Sequence, residues 1–295
     1  MKKPLSFAIV LLIITSTLST SSKVPGKGSA RTKPTIYLVG SVHNMHFEKS
    51  SLYSVNNLLE QIGKLKPDVV CGEIAPEAFN RPMEGYYPPE AALLAEMSNK
   101  LGYKFIPVDW RLDYATQNLA SNFVPEQTKK KRADLLVKIK QEIKSNTSVS
   151  LYDKLHSKTI LYNLDSLYER VIGVDPLSEI SSGSWHERNR RIVENAQITP
   201  NDSKIYVFVF GIDHLPQLKR QLEQLGYEST IPERLFTPSN NNKVSSDVIT
   251  RWKRNLEYLQ MIKNKNIPTS FDEYQKVINS NRIKDLEEAI LKSQD

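Results

Sequence analysis

The chain has 295 residues, 25% of them charged, with a formal net charge of +7 and a mean hydropathy of −0.43. That length supports one large or two small domains with a real core, at the apolar and charged fractions of an ordinary globular protein. The single cysteine, Cys71, excludes an intrachain disulfide. The positive charge is spread along the chain apart from Lys129-Lys130-Lys131-Arg132 and lacks interleaved aromatics, which argues against a nucleic-acid partner.

At the N-terminus Lys2 and Lys3 precede a short apolar stretch, Phe7 to Ile14, and a Ser/Thr-rich run through Ser22. This reads as a secretory signal peptide over 1–22, followed by a Gly/Pro/Lys linker over 23–34. The apolar stretch is too short to span a bilayer comfortably, so no stable membrane span is expected after cleavage. No cysteine follows it, so a lipoprotein is not expected. The expected location is periplasmic or extracellular. An exported chain without disulfides must hold itself together by packing, and Cys71, in an apolar run, is expected as a small core residue. Asn146-Thr147-Ser148 and Asn201-Asp202-Ser203 are glycosylation-type triplets that matter only in a eukaryotic secretory route.

From residue 35 strands alternate with helices. A strand at 36–39 leads to a helix carrying Leu52, Val55, Leu58, Leu59 and Ile62 at helical spacing, bounded by Gly63 and Pro67. A strand at 68–73 leads to a helix with Leu94, Met97 and Leu101, which Gly102 stops. The strand at 104–109 contains Pro107, which predicts an edge position or a bulge. Residues 114–180 turn polar and helical, with stripes at Leu135, Leu136, Ile139, Ile143 and at Leu161, Leu164, Leu167, Val171. They read as a helical insertion that caps a site. A helix near 185–197, a strand at 205–210 and a helix from Leu215 to the Gly226 stop follow. Residues 238–244 read as loop, and two amphipathic helices end the chain. Alternation of this kind predicts an α/β fold: one domain over 35–295, with a central, mainly parallel sheet, flanking helices, the insertion at about 114–180 and C-terminal helices.

In open α/β sheets ligands bind beyond the carboxyl ends of the strands. The strand ends here deliver His43, Glu73, Asp109 and His214, the two histidines in matching contexts, Gly40-Ser41-Val42-His43 and Gly211-Ile212-Asp213-His214. Taken singly, Glu73 reads as a solvated strand-end carboxylate and Asp109 as a loop or cap residue. Asp213 or His214 reads as a cap for the helix that begins near Pro216. His46, three residues after His43, reads as an exposed loop histidine or an extra ligand. In the segment 183–192, Ser184 and Glu187 have the spacing of a capping box. Trp185, Ile192 and Ala196 form an apolar stripe flanked by Arg188 and Asn189, while Glu187, Arg190, Arg191 and Glu194 point outward. Buried arginine and asparagine need partners, which Glu73, Asp109 or a substrate anion would supply. His186, at the margin of the stripe, reads as a surface histidine. No G-x-S-x-G elbow, P-loop, G-x-G-x-x-G or H-E-x-x-H motif occurs.

The two G-x-x-H motifs, the stretch Asp68-Val69-Val70-Cys71-Gly72-Glu73, the Glu187-Arg188-Asn189-Arg190-Arg191 helix and Gly211-Ile212-Asp213-His214-Leu215-Pro216 together resemble the TraB/GumN family over roughly residues 35–230. That family is grouped with Tiki proteases, erythromycin esterases and ChaN-like haem-binding proteins. Ser41 and Ile212-Asp213 depart from its usual Gly-Thr-x-His and Gly-Ala-Gly-His. The resemblance implies a site of His43, Glu73, Arg188, Asn189 and His214, with His46, Asp109 and Asp213 around it. It implies a hydrolase of peptides or esters in which His43, Glu73 and His214 hold a divalent metal (manganese, cobalt or zinc) that activates water. Arg188 and Asn189 would stabilise the oxyanion. It equally admits a metal-free variant with a histidine base and Glu73 orienting the water. The rival expectations are a non-catalytic haem-, metal- or peptide-binding protein of the ChaN-like type, and a regulator that sequesters a peptide.

Overall fold

Four short segments rich in β-branched and aromatic residues pair side by side. They are β1 (Thr35–Ser41), β2 (Val69–Gly72), β3 (Lys104–Pro107) and β4 (Ile205–Gly211). The sheet order is β1-β4-β2-β3 and every neighbouring pair is parallel. The computed structural model describes residues 33–144 and 149–294. The leader, nearly all of the linker and the Asn146 triplet lie outside the described residues.

The fold is mixed α/β, with an all-parallel sheet flanked by helices. β4 enters between β1 and β2, and its register pairs Thr35 with Ile205 and Ser41 with Gly211. The two G-x-x-H segments therefore leave the sheet side by side. β3 is an edge strand, which is where Pro107, without an N–H to donate, is tolerated.

Strand alternation sorts the core into two layers. Val39, Val70, Val207 and Val209 face α1 (Val55–Leu65) and α2 (Pro89–Leu101). Ser54 and Asn57 close a reciprocal capping box at the start of α1, so this helix begins after Leu52 and runs through Gly63 to Leu65. Gly102 ends α2 in the left-handed conformation at φ +77°. The insertion comprises α3 (Tyr114–Ser121), α4 (Glu126–Lys144), α5 (Leu151–Leu155), α6 (Lys158–Ser166), a π-helical turn (Leu167–Ile172) and α7 (Pro176–Ser181). On the other face, Ile36, Leu38, Cys71, Phe208 and Phe210 pack against α8 (Trp185–Asn195) and α9 (Leu215–Gln224).

The C-terminus forms three helices rather than two: α10 (Ser246–Lys263), α11 (Phe271–Ile278) and α12 (Arg282–Lys292). The break between the last two has a local cause. Asn279 and Ser280 donate to the carbonyls of Gln275 and Val277, drawing the chain out of the helical ladder. α10 and α12 bury Trp252, Leu259 and Leu286 against Ala92, Leu93 and Met97, which explains why α2 is apolar on both sides. No helix among the described residues is long and apolar enough to cross a membrane.

A buried ion pair pins α10 to the body. The Glu84 carboxylate accepts from Arg251 Nε at 2.8 Å and Nη2 at 2.7 Å, from Asn255 Nδ2 at 2.9 Å and from the Asn80 amide at 2.8 Å. Replacing Arg251 by methionine leaves that buried carboxylate to Asn255, the Asn80 amide and the more distant, exposed Arg254 at 3.6 Å, at a cost of about 3 kcal/mol. Urea unfolding of R251M should show that loss, and the R251M/E84Q double variant should regain much of it.

Candidate active site

Beyond the carboxyl ends of β2 and β3, two carboxylates and two guanidiniums interlock. Asp109 accepts from Arg188 through both oxygens, from Nε at 2.8 Å and Nη2 at 3.0 Å. Arg188 Nη2 also reaches Glu73 Oε1 at 3.1 Å. Arg111 bridges the same pair, Nε to Asp109 at 2.8 Å and Nη2 to Glu73 Oε1 at 2.9 Å. Glu73, which read singly as a solvated strand-end carboxylate, and Asp109, which read singly as a loop or cap residue, are both buried. Their position follows from the cations around them, because an unpaired charge cannot be buried.

The second oxygen of Glu73 accepts from the Gly211 amide at 3.0 Å. Gly211 also lies against His43: a Cβ there would sit 2.9 Å from His43 Nε2 and 3.1 Å from Asp213 Oδ1. Only glycine permits that approach. Glu73, His43 and the β4 end carrying His214 are thus brought to one place. Burial works against the ionised form of Glu73, yet His43, Arg188, Arg111 and His214 hold its carboxyl well below the usual range.

His43, in a 3₁₀ turn (His43–Phe47), places Nδ1 2.7 Å from Glu90 Oε1, and Ser41 Oγ donates to the same oxygen at 2.7 Å. Glu90 is buried, and burial alone would favour its neutral form. His43 and Ser41 instead keep it ionised, with its pKa lowered to about 2. Nδ1 of His43 is therefore the proton-bearing nitrogen, and Nε2 is left toward the site. Burial opposes the imidazolium, but Glu90 and Glu73 outweigh it and the His43 pKa is raised.

His214 is fixed differently. Asn189 Nδ2 donates to the Trp185 carbonyl at 2.7 Å, so its Oδ1 faces His214 Nδ1 at 2.8 Å. An acceptor there requires a proton on Nδ1, which leaves Nε2 with a lone pair. Burial and the neighbouring Arg188 charge push the His214 pKa well below its ordinary value. The ring packs on Trp185 at 4.1 Å, tilted by 34°, and Trp185 stacks on Tyr168 of the insertion at 3.9 Å.

The remaining sequence candidates play other parts. His46 is not exposed: it is buried, Nδ1 donates to the Tyr53 carbonyl at 2.7 Å and Nε2 accepts from the Val42 amide at 3.2 Å. Asp213 and His214 do not cap α9, and Asp213 accepts from the Tyr168 hydroxyl at 2.9 Å. Ser184 forms no capping box, because it adopts φ 52° and its side chain makes no cap bond. Glu179 takes that place, accepting from the His186 amide at 2.8 Å. Glu187 pairs outward with Arg190 and Arg191. His186 lies half-buried between Glu169 at 2.8 Å and Glu179 at 3.1 Å.

Two site residues escaped the sequence reading. Glu90 lies four residues before Leu94 and seven before Met97, so a carboxylate on the apolar stripe of α2 was the signal. Arg111 lies two residues past Asp109, outside any regular element, and carries no periodic signal.

The metal set implied by the family resemblance does not fit this donor arrangement. Glu73 Oε1 already accepts from two guanidiniums and Oε2 from an amide, so a cation would have to displace them. No group of three or more His, Cys, Asp or Glu side chains placed to hold a metal is present among the described residues. No protein-family model matches the chain, and no curated protein or solved structure is significantly similar to it.

Two titrations test these environments. By NMR, His43 should titrate above 6.5 and His214 should stay neutral well below it, and Glu90→Gln should move His43 downward. The hydrogen bond His186 donates to Glu179, opposed by burial and joined by one to Glu169, raises the His186 pKa from 6.5 to about 9. Its charge therefore stabilises the fold fully below pH 6.5, and that contribution is lost as pH rises through about 9. Thermal midpoints of wild type should fall across that window, and those of His186→Gln should not share the fall.

Proposed function

We propose that this chain is an exported hydrolase that adds water to the carbonyl of an ester or peptide, with a pair of histidines and no metal in the reacting set. The observation that carries the reading is the state of the ring nitrogens. Among the five histidines, His46 and His156 have both nitrogens occupied by backbone groups, and His186 has both on carboxylates. His43 and His214 each have Nδ1 fixed and Nε2 without a partner among the described residues. Unspent ring nitrogens held in a defined orientation are what proton transfer needs.

In this reading His214 Nε2 takes a proton from water as the oxygen attacks the carbonyl carbon. Asn189 holds the tautomer. His43, charged and backed by Glu90, stabilises the oxyanion and then gives its Nε2 proton to the departing alkoxide or amine as the C–O or C–N bond breaks. The proton taken by His214 returns His43 to its charged form through solvent. Environments that push two titratable groups apart in pKa supply an acid and a base at one pH. Glu73 serves as a fixed negative charge that acts on both histidines rather than as the group that orients water. Arg188 and Asn189 act as positioning residues: Arg188 Nε and Nη2 hold Asp109 and Glu73, and Asn189 Nδ2 holds the Trp185 carbonyl. The resemblance to the TraB/GumN group and the leader-like N-terminus support hydrolysis and export.

Screening ester and peptide libraries tests the proposal. His43→Gln and His214→Asn should each lower the rate of whatever substrate is found by about 10²–10⁴-fold, and chelation by EDTA should leave it unchanged. Wild-type rates in both folded variants would overturn the assignment, and loss of activity on chelation would overturn its metal-free form.

A further inference from the structure

His43 and Arg111 line a surface cleft of about 320 Å³ together with Tyr86 and, at the start of α12, Asn281, Arg282 and Asp285. The charges in this lining are unequal. Arg111 and Arg282 are cationic, and the one carboxylate, Asp285, already accepts from Arg282 Nη1 at 3.0 Å.

Both arginines are held rigidly and neither is used up. Arg111 spends Nε on Asp109 and Nη2 on Glu73. Arg282 spends Nε on the Tyr86 carbonyl at 3.1 Å and Nη1 on Asp285. Each keeps one terminal amino group, Nη1 of Arg111 and Nη2 of Arg282, without a partner among the described residues. Their side chains are 20% and 18% exposed, so a ligand in the cleft can reach them while most water is excluded. A guanidinium fixed on one edge presents its free edge without further ordering cost, and it matches an oxyanion far better than a neutral carbonyl.

We infer that the substrate of this site is an anion, an ester or peptide whose carboxylate or phosphate group is held between Arg111 and Arg282 while its scissile carbonyl lies at His43. The inference rests on the hydrolytic reading above in treating the bound anion as part of a substrate. The cleft adjoins His43 on the side of Arg111, so the anionic group sits within one small molecule's length of the reacting carbonyl. A cationic or extended neutral substrate would leave Arg111 Nη1 and Arg282 Nη2 without an anionic acceptor.

Calorimetric titration of the full chain with inorganic phosphate and, separately, with succinate tests this without needing turnover. Binding of either is expected, and the anion that binds more tightly identifies the class, phosphate monoester or carboxylate. Arg282→Gln should weaken binding about tenfold or more, through loss of a charge-assisted contact. Asn281→Asp puts a carboxylate into the cleft at a position where aspartate still suits a helix start, and it should weaken binding without unfolding the chain. Equal affinity in wild type and both variants, or no binding of either anion at about 10 mM, overturns the inference. Arg282-dependent binding that persists when the histidine variants leave every hydrolytic rate unchanged supports the anion site and sinks only the hydrolase. Equal turnover of neutral and anionic esters by wild type sinks the anion site and leaves the hydrolase standing.

Discussion

The lattice of Glu73, Asp109, Arg111 and Arg188 is the constraint to which the rest of the site is tied. All but Arg111 are buried, so none of these charges is tolerable without the others. Such a lattice contributes little net stability compared with apolar residues of the same shape, but it is intolerant of loss and therefore specifies one arrangement. It ties the end of β2 to the end of β3 through Asp109 and Arg111, and both to α8 through Arg188. Through the second oxygen of Glu73 it fixes the amide of Gly211 at the end of β4. α8 in turn carries Asn189, the residue that sets the tautomer of His214.

Strand order converts this local lattice into a site. Because β4 lies between β1 and β2, the chain's last strand ends beside its first, in a register that sets Ser41 opposite Gly211. The missing side chain at Gly211 lets the His43 ring come against the backbone. Behind His43, α2 brings Glu90 from a helix that is otherwise buried in the core. The insertion adds Tyr168, which packs on Trp185 and donates its hydroxyl to Asp213, and His156, whose Nε2 accepts from the Gly40 amide at 2.9 Å.

Proton bookkeeping separates the histidines more sharply than burial does. His46, His156 and His214 are all largely enclosed, yet the first two have both ring nitrogens occupied by backbone groups and are structural. His186 is held between two carboxylates and locks the π-helical turn and α7 onto α8. His43 and His214 alone keep a ring nitrogen in reserve, one backed by a carboxylate and the other by an amide oxygen. Their affinities for a proton diverge because Glu90 and Glu73 outweigh burial at His43, whereas burial and the Arg188 charge act together at His214.

The strands, their parallel pairing, the edge position of the proline-bearing strand and the helical character of the middle were all legible along the chain. Each is a local consequence of side-chain shape and of the period with which apolar groups recur. The same periodicity marked Arg188 and Asn189 as polar groups on a buried face and demanded partners for them. It also held the signal for Glu90, on the stripe shared by Leu94 and Met97. It could not say that Ser184 would leave its capping role to Glu179, that His46 would turn inward, or that Arg111 would complete the lattice. The first two turn on loop contacts seven residues apart with no periodic signal, and the lattice depends on groups that meet across 38 or 115 positions of chain. A repeating pattern reports how much water each residue loses on folding. Which charge neutralises which, and which ring nitrogen is left unspent, is fixed only when distant segments close around one another and every buried polar atom must find its partner among those that arrive.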